Sequence, residues 1–375
     1  MQLCKTVQVT FNKNAFDWLS HPVTKFLAYG MDTNATTLLT DYLTNRSQRV
    51  KLSNSVSSSW NQLYKGVPQG SILGPTIFNL FLNDIFLDFQ PGTLLNYADD
   101  NTVFATANSL DNLKTSLSDK SAKIVKWCDL NLMAANPNKF QTMIAGNQGT
   151  LVKVDSNTTI TSEQDVKLLG IYLDESLNFN KQVAHILQKG SRQLNCLKRV
   201  AHSLDSKIKL LLYKSFVQSN FMFCPTVWHM CGETNTQKLE RLQYRALKFV
   251  FSDYKSTYDE LLVRAKIPTL ALGRLRSIAT EVYKIVKNMS PKYLKETFNM
   301  QITNYNLRSR GSIRPTHNRT TRNGLHSFKH FGAKIWNALP ANTRNVEDFI
   351  TFKKLIRQWT GPTCKCGLPD NSATN

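Results

Sequence analysis

The run "GTLLNYADDNTVFATA", residues 92–107, sets two adjacent aspartates between two apolar stretches. Leucine, tyrosine, valine, phenylalanine and alanine fill strand cores, and two such runs around a short polar break read as a tight β-hairpin. Asp99 and Asp100 fall at its tip. Neighbouring like charges repel, so the pair is open to two readings. One is a polar hairpin turn. The other is a set of hard oxygen ligands for a divalent cation, held on rigid strands and open on one side to phosphates.

The flanking sequence builds a mixed domain around this hairpin. "LCKTVQVTF" places Val7, Val9 and Phe11 on one face of a strand at period two. "AFDWLSHPVTKFLAYG" reads as a short helix or turn closed by Gly30, and "KGVPQGSILGPTIFNLFLNDIF" carries Ile77, Phe78, Phe81, Leu82 and Ile85 at helical spacing. Pro75 suits the first turn of that helix. Residues 110–133 read as a helix, "ANPNKFQTMIAG" turns into a strand, and "DVKLLGIYLDESLNF" reads as one more strand pair. No regular βαβ repeat appears, which favours an α+β domain. After about residue 180 come amphipathic helices with basic polar faces: "KQVAHILQKGSRQLNCLKRV", "SKIKLLLYKSFVQSNFMF" and "TQKLERLQYRALKFVF". Residues 303–325 hold five arginines and few apolar residues, the composition of a flexible basic linker.

Charge narrows the partner. Lys and Arg number 47 against 26 Asp and Glu, a net +21 in 375 residues, which favours a polyanion bound by phosphate neutralisation. Seven scattered cysteines without a CxxC pair read as reduced thiols of an intracellular protein, nuclear or cytoplasmic. No stretch approaches the length of a membrane span. His326, His330, Cys364 and Cys366 could be combined into a zinc set, but the C-x-C spacing and the intervening distance argue against it. Cys224, His229 and Cys231 lie in an apolar run and are expected in the helical core.

Four segments in order, "KGVPQGSILGP", "YADD", "NPNKFQTMIAG" and "VKLLGIYLDESLNF", resemble the palm motifs of the reverse transcriptases of non-LTR retrotransposons, particularly the Jockey-type clade. "LERLQYRALKFVF" and "FGAKIWNALP" resemble that clade's C-terminal region. The resemblance implies a partial right-hand polymerase palm over 1–180, a thumb-like and clade-specific helical region over 181–302, the basic linker over 303–325, and a C-terminal helical segment over 326–375. It implies RNA-directed DNA synthesis with Mg²⁺, or Mn²⁺, on an RNA template, a DNA primer and deoxynucleotide triphosphates, with no membrane partner. Asp99 and Asp100 would be the catalytic metal-binding carboxylates and Lys139 the acid that protonates departing pyrophosphate. Tyr97 would lie beside the primer terminus, Gln69 and Gly70 against template and nucleotide, and Phe16 where a ribose 2′-hydroxyl is excluded.

The first palm motif departs from the family pattern. "FNKNAFD" keeps Ala15, Phe16 and Asp17 but has Phe11 where the family places a third metal-binding aspartate. Asp17 lies six residues further along, past the expected strand end. The family's fingers precede this motif, and ten residues before Phe11 cannot supply them, so the chain reads as N-terminally truncated with impaired catalysis. No segment reads as an endonuclease or RNase H. The alternative from another class is a non-catalytic nucleic-acid-binding remnant.

Overall fold

The structure, a computed structural model, describes residues 3–10, 21–52, 57–64, 66–144, 151–154, 159–201, 203–300, 311–317 and 324–362. They fall into two compact units, 1–168 and 169–375.

The first unit is built on a four-stranded antiparallel sheet. Its strands are β1 (Leu3–Thr10), β4 (Leu94–Tyr97), β5 (Asp100–Ala107) and β6 (Gln141–Ile144), in the order β4-β5-β1-β6. Helices α1 (His21–Ala28) and α2 (Thr33–Leu43), then the short strands β2 (Arg46–Gln48) and β3 (Asn61–Leu63), lead into α3 (Gly74–Leu82). Pro75 sits in the first turn of α3 as its fixed φ favours. Ile77, Phe81 and Leu82 are buried, and a 3₁₀ turn carries Ile85 into the same core. Helix α4 (Leu110–Leu130) packs on β5 through Leu113, Leu117, Ile124 and Cys128, against Leu94 and Val103 of the sheet. It ends three residues before the sequence pattern suggests. The Asn131 side chain donates to the Trp127 carbonyl (2.8 Å), and Leu132 adopts φ +54°. Short strands β7 (Leu151–Lys153), β8 (Thr159–Thr161) and β9 (Asp165–Leu168) complete the unit.

The second unit opens with β10 (Ile171–Asp174) and is otherwise helical. It contains α5 (Asn180–Val200), α6 (Ser206–Leu212), α7 (Ser219–Phe221), α8 (Pro225–Trp228), α9 (Glu233–Phe251), α10 (Tyr258–Ala265), α11 (Leu270–Val286), α12 (Lys292–Lys295), α13 (Phe328–Ala338), α14 (Ala341–Arg344) and α15 (Phe349–Gln358). Gly190 lets α5 approach α9 closely: a Cβ there would meet Leu242 and Phe221 at 3.2 Å. The segment "SKIKLLLYKSFVQSNFMF" is not one regular α-helix, since Tyr213–Gln218 forms a π-turn. Tyr213, Val217 and Phe221 are all buried. Spaced four apart, they share one side of the segment and face the core through the wider turn.

A buried polar network ties three helices together. The Tyr213 hydroxyl donates to Gln243 Oε1 (2.7 Å), and Gln243 Nε2 donates to the Tyr258 oxygen (3.0 Å). Tyr258 in turn donates to Glu240, whose carboxylate accepts the Leu270 and Ala271 N–H groups at the start of α11. A second core joins α11, α13 and α15, where Tyr283 stacks on Phe352 with ring centroids 4.0 Å apart.

Two expectations need correction. Cys224 is exposed, not in the helical core. Its φ of +45° at the start of α8 turns the chain there, while His229 and Cys231 are buried as expected. Within the segment expected to be a flexible linker, residues 311–317 pack against α13: Ile313 is buried, its N–H bonds Asn337 Oδ1 (2.9 Å), and the Gly311 carbonyl accepts from Trp336 Nε1 (2.8 Å).

Candidate active site

The hairpin seen in the sequence forms, and it is as tight as a hairpin can be. Tyr97 pairs with Asp100, so β4 and β5 are joined by two residues, Ala98 and Asp99. Ala98 takes φ +52°, a conformation usually given to glycine in such turns. Asn96 closes the turn from beneath: its amide donates to the Ala98 carbonyl (3.0 Å) and to Asn101 Oδ1 (2.9 Å). Asn101 is fully buried, and its own Nδ2 has no hydrogen-bond partner. Tyr97 is exposed, whereas Asp99 and Asp100 are half-buried.

Strand register brings further elements to the same end of the sheet. β1 runs antiparallel to β5 with its last residue, Thr10, opposite Asp100, so the end of β1 lies beside the aspartates. β6 pairs with the other edge of β1, Gln141 opposite Gln8. The 3₁₀ turn Pro137–Lys139 precedes β6 and therefore caps that same end, with Lys139 exposed. Asp100 and this turn are separated by the width of two strand spacings, about 10 Å, with the end of β1 between them.

Gln69 and Gly70 stand on a separate element, the exposed turn before α3. Gly70 has φ +83°, which a side chain would strain, and Ser71 Oγ donates to the Pro68 carbonyl (2.9 Å) while accepting the Gly74 N–H (3.0 Å). This turn is fixed to the sheet through α3, whose Ile77 and Phe81 share a core with Leu94 and Val103. Phe11, Phe16 and Asp17 lie outside the described residues, as do Cys364 and Cys366. His330 is a core residue, its Nδ1 2.9 Å from the Thr316 carbonyl.

The donor set fits a divalent cation. Two adjacent, half-exposed carboxylates on a two-residue turn offer hard oxygens without a competing soft ligand. Among the described residues no group of three or more His, Cys, Asp or Glu side chains could hold a metal ion. Reasoning from sequence missed Asn96 and Asn101. The signal was available, since two asparagines flank the turn symmetrically.

Residues 8–173 match the family model for reverse transcriptase (RNA-dependent DNA polymerase). That segment is similar to reverse transcriptase domains. The chain is 26% identical over 298 residues to the RNA-directed DNA polymerase from mobile element jockey of Drosophila melanogaster, covering 75% of this chain and 32% of that protein. It is 24% identical over 228 residues to the probable RNA-directed DNA polymerase from transposon BS of the same species, covering 57% and 25%. It is 22% identical over 244 residues to the Pol polyprotein from type-1 retrotransposable element R1 of Bradysia coprophila, covering 62% and 22%. The relationship is thus to the polymerases of non-LTR retrotransposons. The jockey similarity covers more of the chain than the reverse transcriptase domain alone and so reaches the helical unit. The chain spans a quarter to a third of the length of the first two of these relatives. Reverse transcriptases as a family depend on divalent metal ions. Among the described residues no helix is long and apolar enough to cross a membrane.

Proposed function

We propose that this chain is the palm and following helical region of an RNA-directed DNA polymerase of a non-LTR retrotransposon. The observation that carries the reading is the convergence of the Tyr97–Asp100 hairpin, the end of β1 and the Lys139 turn at one end of the sheet, inside a reverse transcriptase domain. The reaction is attack of a primer 3′-hydroxyl on the α-phosphate of a deoxynucleotide triphosphate. One O–P bond forms, the bond to pyrophosphate breaks, and the 3′-hydroxyl loses its proton.

Asp99 and Asp100 would hold Mg²⁺, which when bound activates the attacking oxygen and offsets charge on the leaving group. Asp99 stands in the turn itself, while Asp100 is anchored by the ladder to β1. Lys139 would protonate departing pyrophosphate from the opposite side of the sheet end. Tyr97 supports the primer terminus, Phe16 screens the ribose 2′ position, and Gln69 with Gly70 positions template and nucleotide. The basic helices of the second unit, with Lys189, Arg192 and Arg199 exposed on α5, fit the thumb-like role of neutralising duplex phosphates.

With Phe11 in place of a third carboxylate the pair holds cations weakly, so extension is slow. The test is primer extension on an RNA template by the purified chain. Slow, Mg²⁺-dependent incorporation that disappears in Asp99→Asn supports the reading. No incorporation with either Mg²⁺ or Mn²⁺, or incorporation unchanged in Asp99→Asn, overturns it.

A further inference from the structure

A second concentration of nucleic-acid chemistry stands on β2 and β3, which pair with each other as a two-stranded ribbon. The register is Arg46↔Leu63, Ser47↔Gln62 and Gln48↔Asn61. Continued by one pair, it sets Arg49 opposite Trp60, and the Arg49 guanidinium indeed lies 4.8 Å from the Trp60 ring centroid. Strand alternation puts Trp60, Gln62 and Tyr64 on one face. Both rings are open to solvent, Trp60 at 61% and Tyr64 at 66% exposure.

The ribbon is held in place. Arg46 donates through Nε to the Leu43 carbonyl (2.9 Å) and through its terminal nitrogen to the Gly66 carbonyl. Beyond Arg49, the Ser58 N–H bonds the Val50 carbonyl (2.8 Å), and Ser58 Oγ accepts the Val50 N–H (2.9 Å). Core packing therefore does not explain the two rings, which stand outward on an anchored support. Charge supplies the complement. No Asp or Glu occurs between Asp41 and Asp84, an interval that contains Arg46, Arg49, Lys51 and Lys65.

Exposed aromatics beside arginine, in an interval without acids, are the elements of a stacking platform with a phosphate-neutralising rim. Trp60 and Tyr64 are about 13 Å apart along the strand direction, far enough to stack on different bases of one strand. We infer that the β2–β3 ribbon is a contact for single-stranded nucleic acid, in which Trp60 and Tyr64 stack on bases and Arg49 and Lys51 neutralise phosphates. The inference rests on the nucleic-acid reading of the chain given above. The ribbon leads within a few residues into the Gln69–Gly70 turn, so a strand lying on it continues toward that turn.

The test is binding of the full chain to fluorescent oligo-uridine, oligo-thymidine and a blunt duplex, followed by anisotropy. Trp60→Ala should weaken binding of at least one single strand by about fivefold or more, with duplex binding within about twofold of native. Trp60→Phe should retain most of the affinity, and Arg49→Gln should lower the salt dependence on the single strand by about 0.7 of a log–log unit. Unchanged circular dichroism is expected, since both positions are exposed. Native-like single-strand affinity in both Trp60→Ala and Tyr64→Ala sinks the ribbon alone and leaves the polymerase reading standing. Equal weakening on single strand and duplex also overturns it. A native chain that binds no nucleic acid overturns both readings. If Trp60→Ala instead dissociates a dimer in light scattering and leaves oligonucleotide binding intact, the ribbon is a contact between copies and the inference fails.

Discussion

Asn96 and Asn101 face each other across the turn that carries Asp99, joined amide to amide at 2.9 Å, and Asn96 also holds the Ala98 carbonyl at 3.0 Å. The strained turn conformation at Ala98 is therefore braced by a side chain from the strand below it. Replacing Asn96 with alanine removes both bonds and leaves Asn101, already fully buried, with neither end of its amide paired. Unfolding of Asn96→Ala should be easier by about 1–3 kcal/mol. Primer extension should fall more than template–primer affinity does, because the variant frees the aspartates and not the nucleic-acid surface. Denaturant titration and a comparison of extension with binding check both parts. A stable variant with native extension would show that the turn holds itself.

Phe11 follows Thr10, which lies opposite Asp100 in the β1–β5 ladder. A carboxylate one residue past the end of β1 is expected to add an oxygen ligand to the pair. Phe11→Asp is expected to bind Mn²⁺ about tenfold or more tightly than the native chain, as one further charged oxygen ligand provides. The gain should vanish in Phe11→Asp combined with Asp99→Asn. Manganese paramagnetic resonance or calorimetry reads this without any requirement for catalysis. Equal affinity in native and Phe11→Asp chains would dissociate position 11 from the aspartates.

The elements surrounding these residues were visible in the sequence because each is written locally. The hairpin follows from apolar runs around Ala98 and Asp99, and α3 from Pro75 and the spacing of Ile77, Phe81 and Leu82. The basic helices α5 and α9 follow from their amphipathic period. Periodicity gives a buried face but does not name its partner. Lys25 and Asp84, 59 residues apart, gave no sign of meeting. The π-turn at Tyr213–Gln218 was hidden for a related reason: an apolar spacing of four fits an ordinary helix until the identity of the facing core is known. Likewise, the sequence pattern marked Phe11 as the departure, but only the Thr10–Asp100 register shows that the strand leading to it ends beside the pair.

Lys25 is an internal cation bound from several sides. Its Nζ lies 2.7 and 2.8 Å from the two Asp84 oxygens and 3.1 Å from the Phe81 carbonyl, over the rings of Phe81 and Trp127. Burial pushes its pKa down, and Asp84 opposes that shift. Trp127 Nε1 donates to the same carboxylate (3.1 Å), so the pair joins α1, the end of α3 and α4. Lys25→Met should cost about 2–3 kcal/mol by leaving the carboxylate without its cation. Adding Asp84→Asn should recover part of that loss, since the neutral amide needs no counter-charge. Additive losses in urea titrations would show that the two side chains are energetically independent.

His229 gives the second unit a pH dependence of calculable sign. It is buried, stacks on Phe331 with centroids 5.3 Å apart, and accepts the Arg274 Nε–H on Nδ1 at 3.3 Å. Burial pushes its pKa down to about 3, and the Arg274 charge acts in the same direction. A folded-state pKa below the unfolded value of about 6.5 means that the unfolded chain takes up the proton first. The contribution of neutral His229 is therefore complete above about pH 6.5 and is lost as pH falls toward 3, at about 1.4 kcal/mol per pH unit. His229→Asn keeps an acceptor for Arg274 at the place of Nδ1 but cannot be protonated. The difference in unfolding free energy between native and His229→Asn should be flat above pH 7 and should shift by that slope in favour of the variant between pH 6 and 4. Other titrating groups are common to both chains and cancel in the difference. Parallel stability curves across that interval would mean that His229 is reached by solvent protons in the folded state.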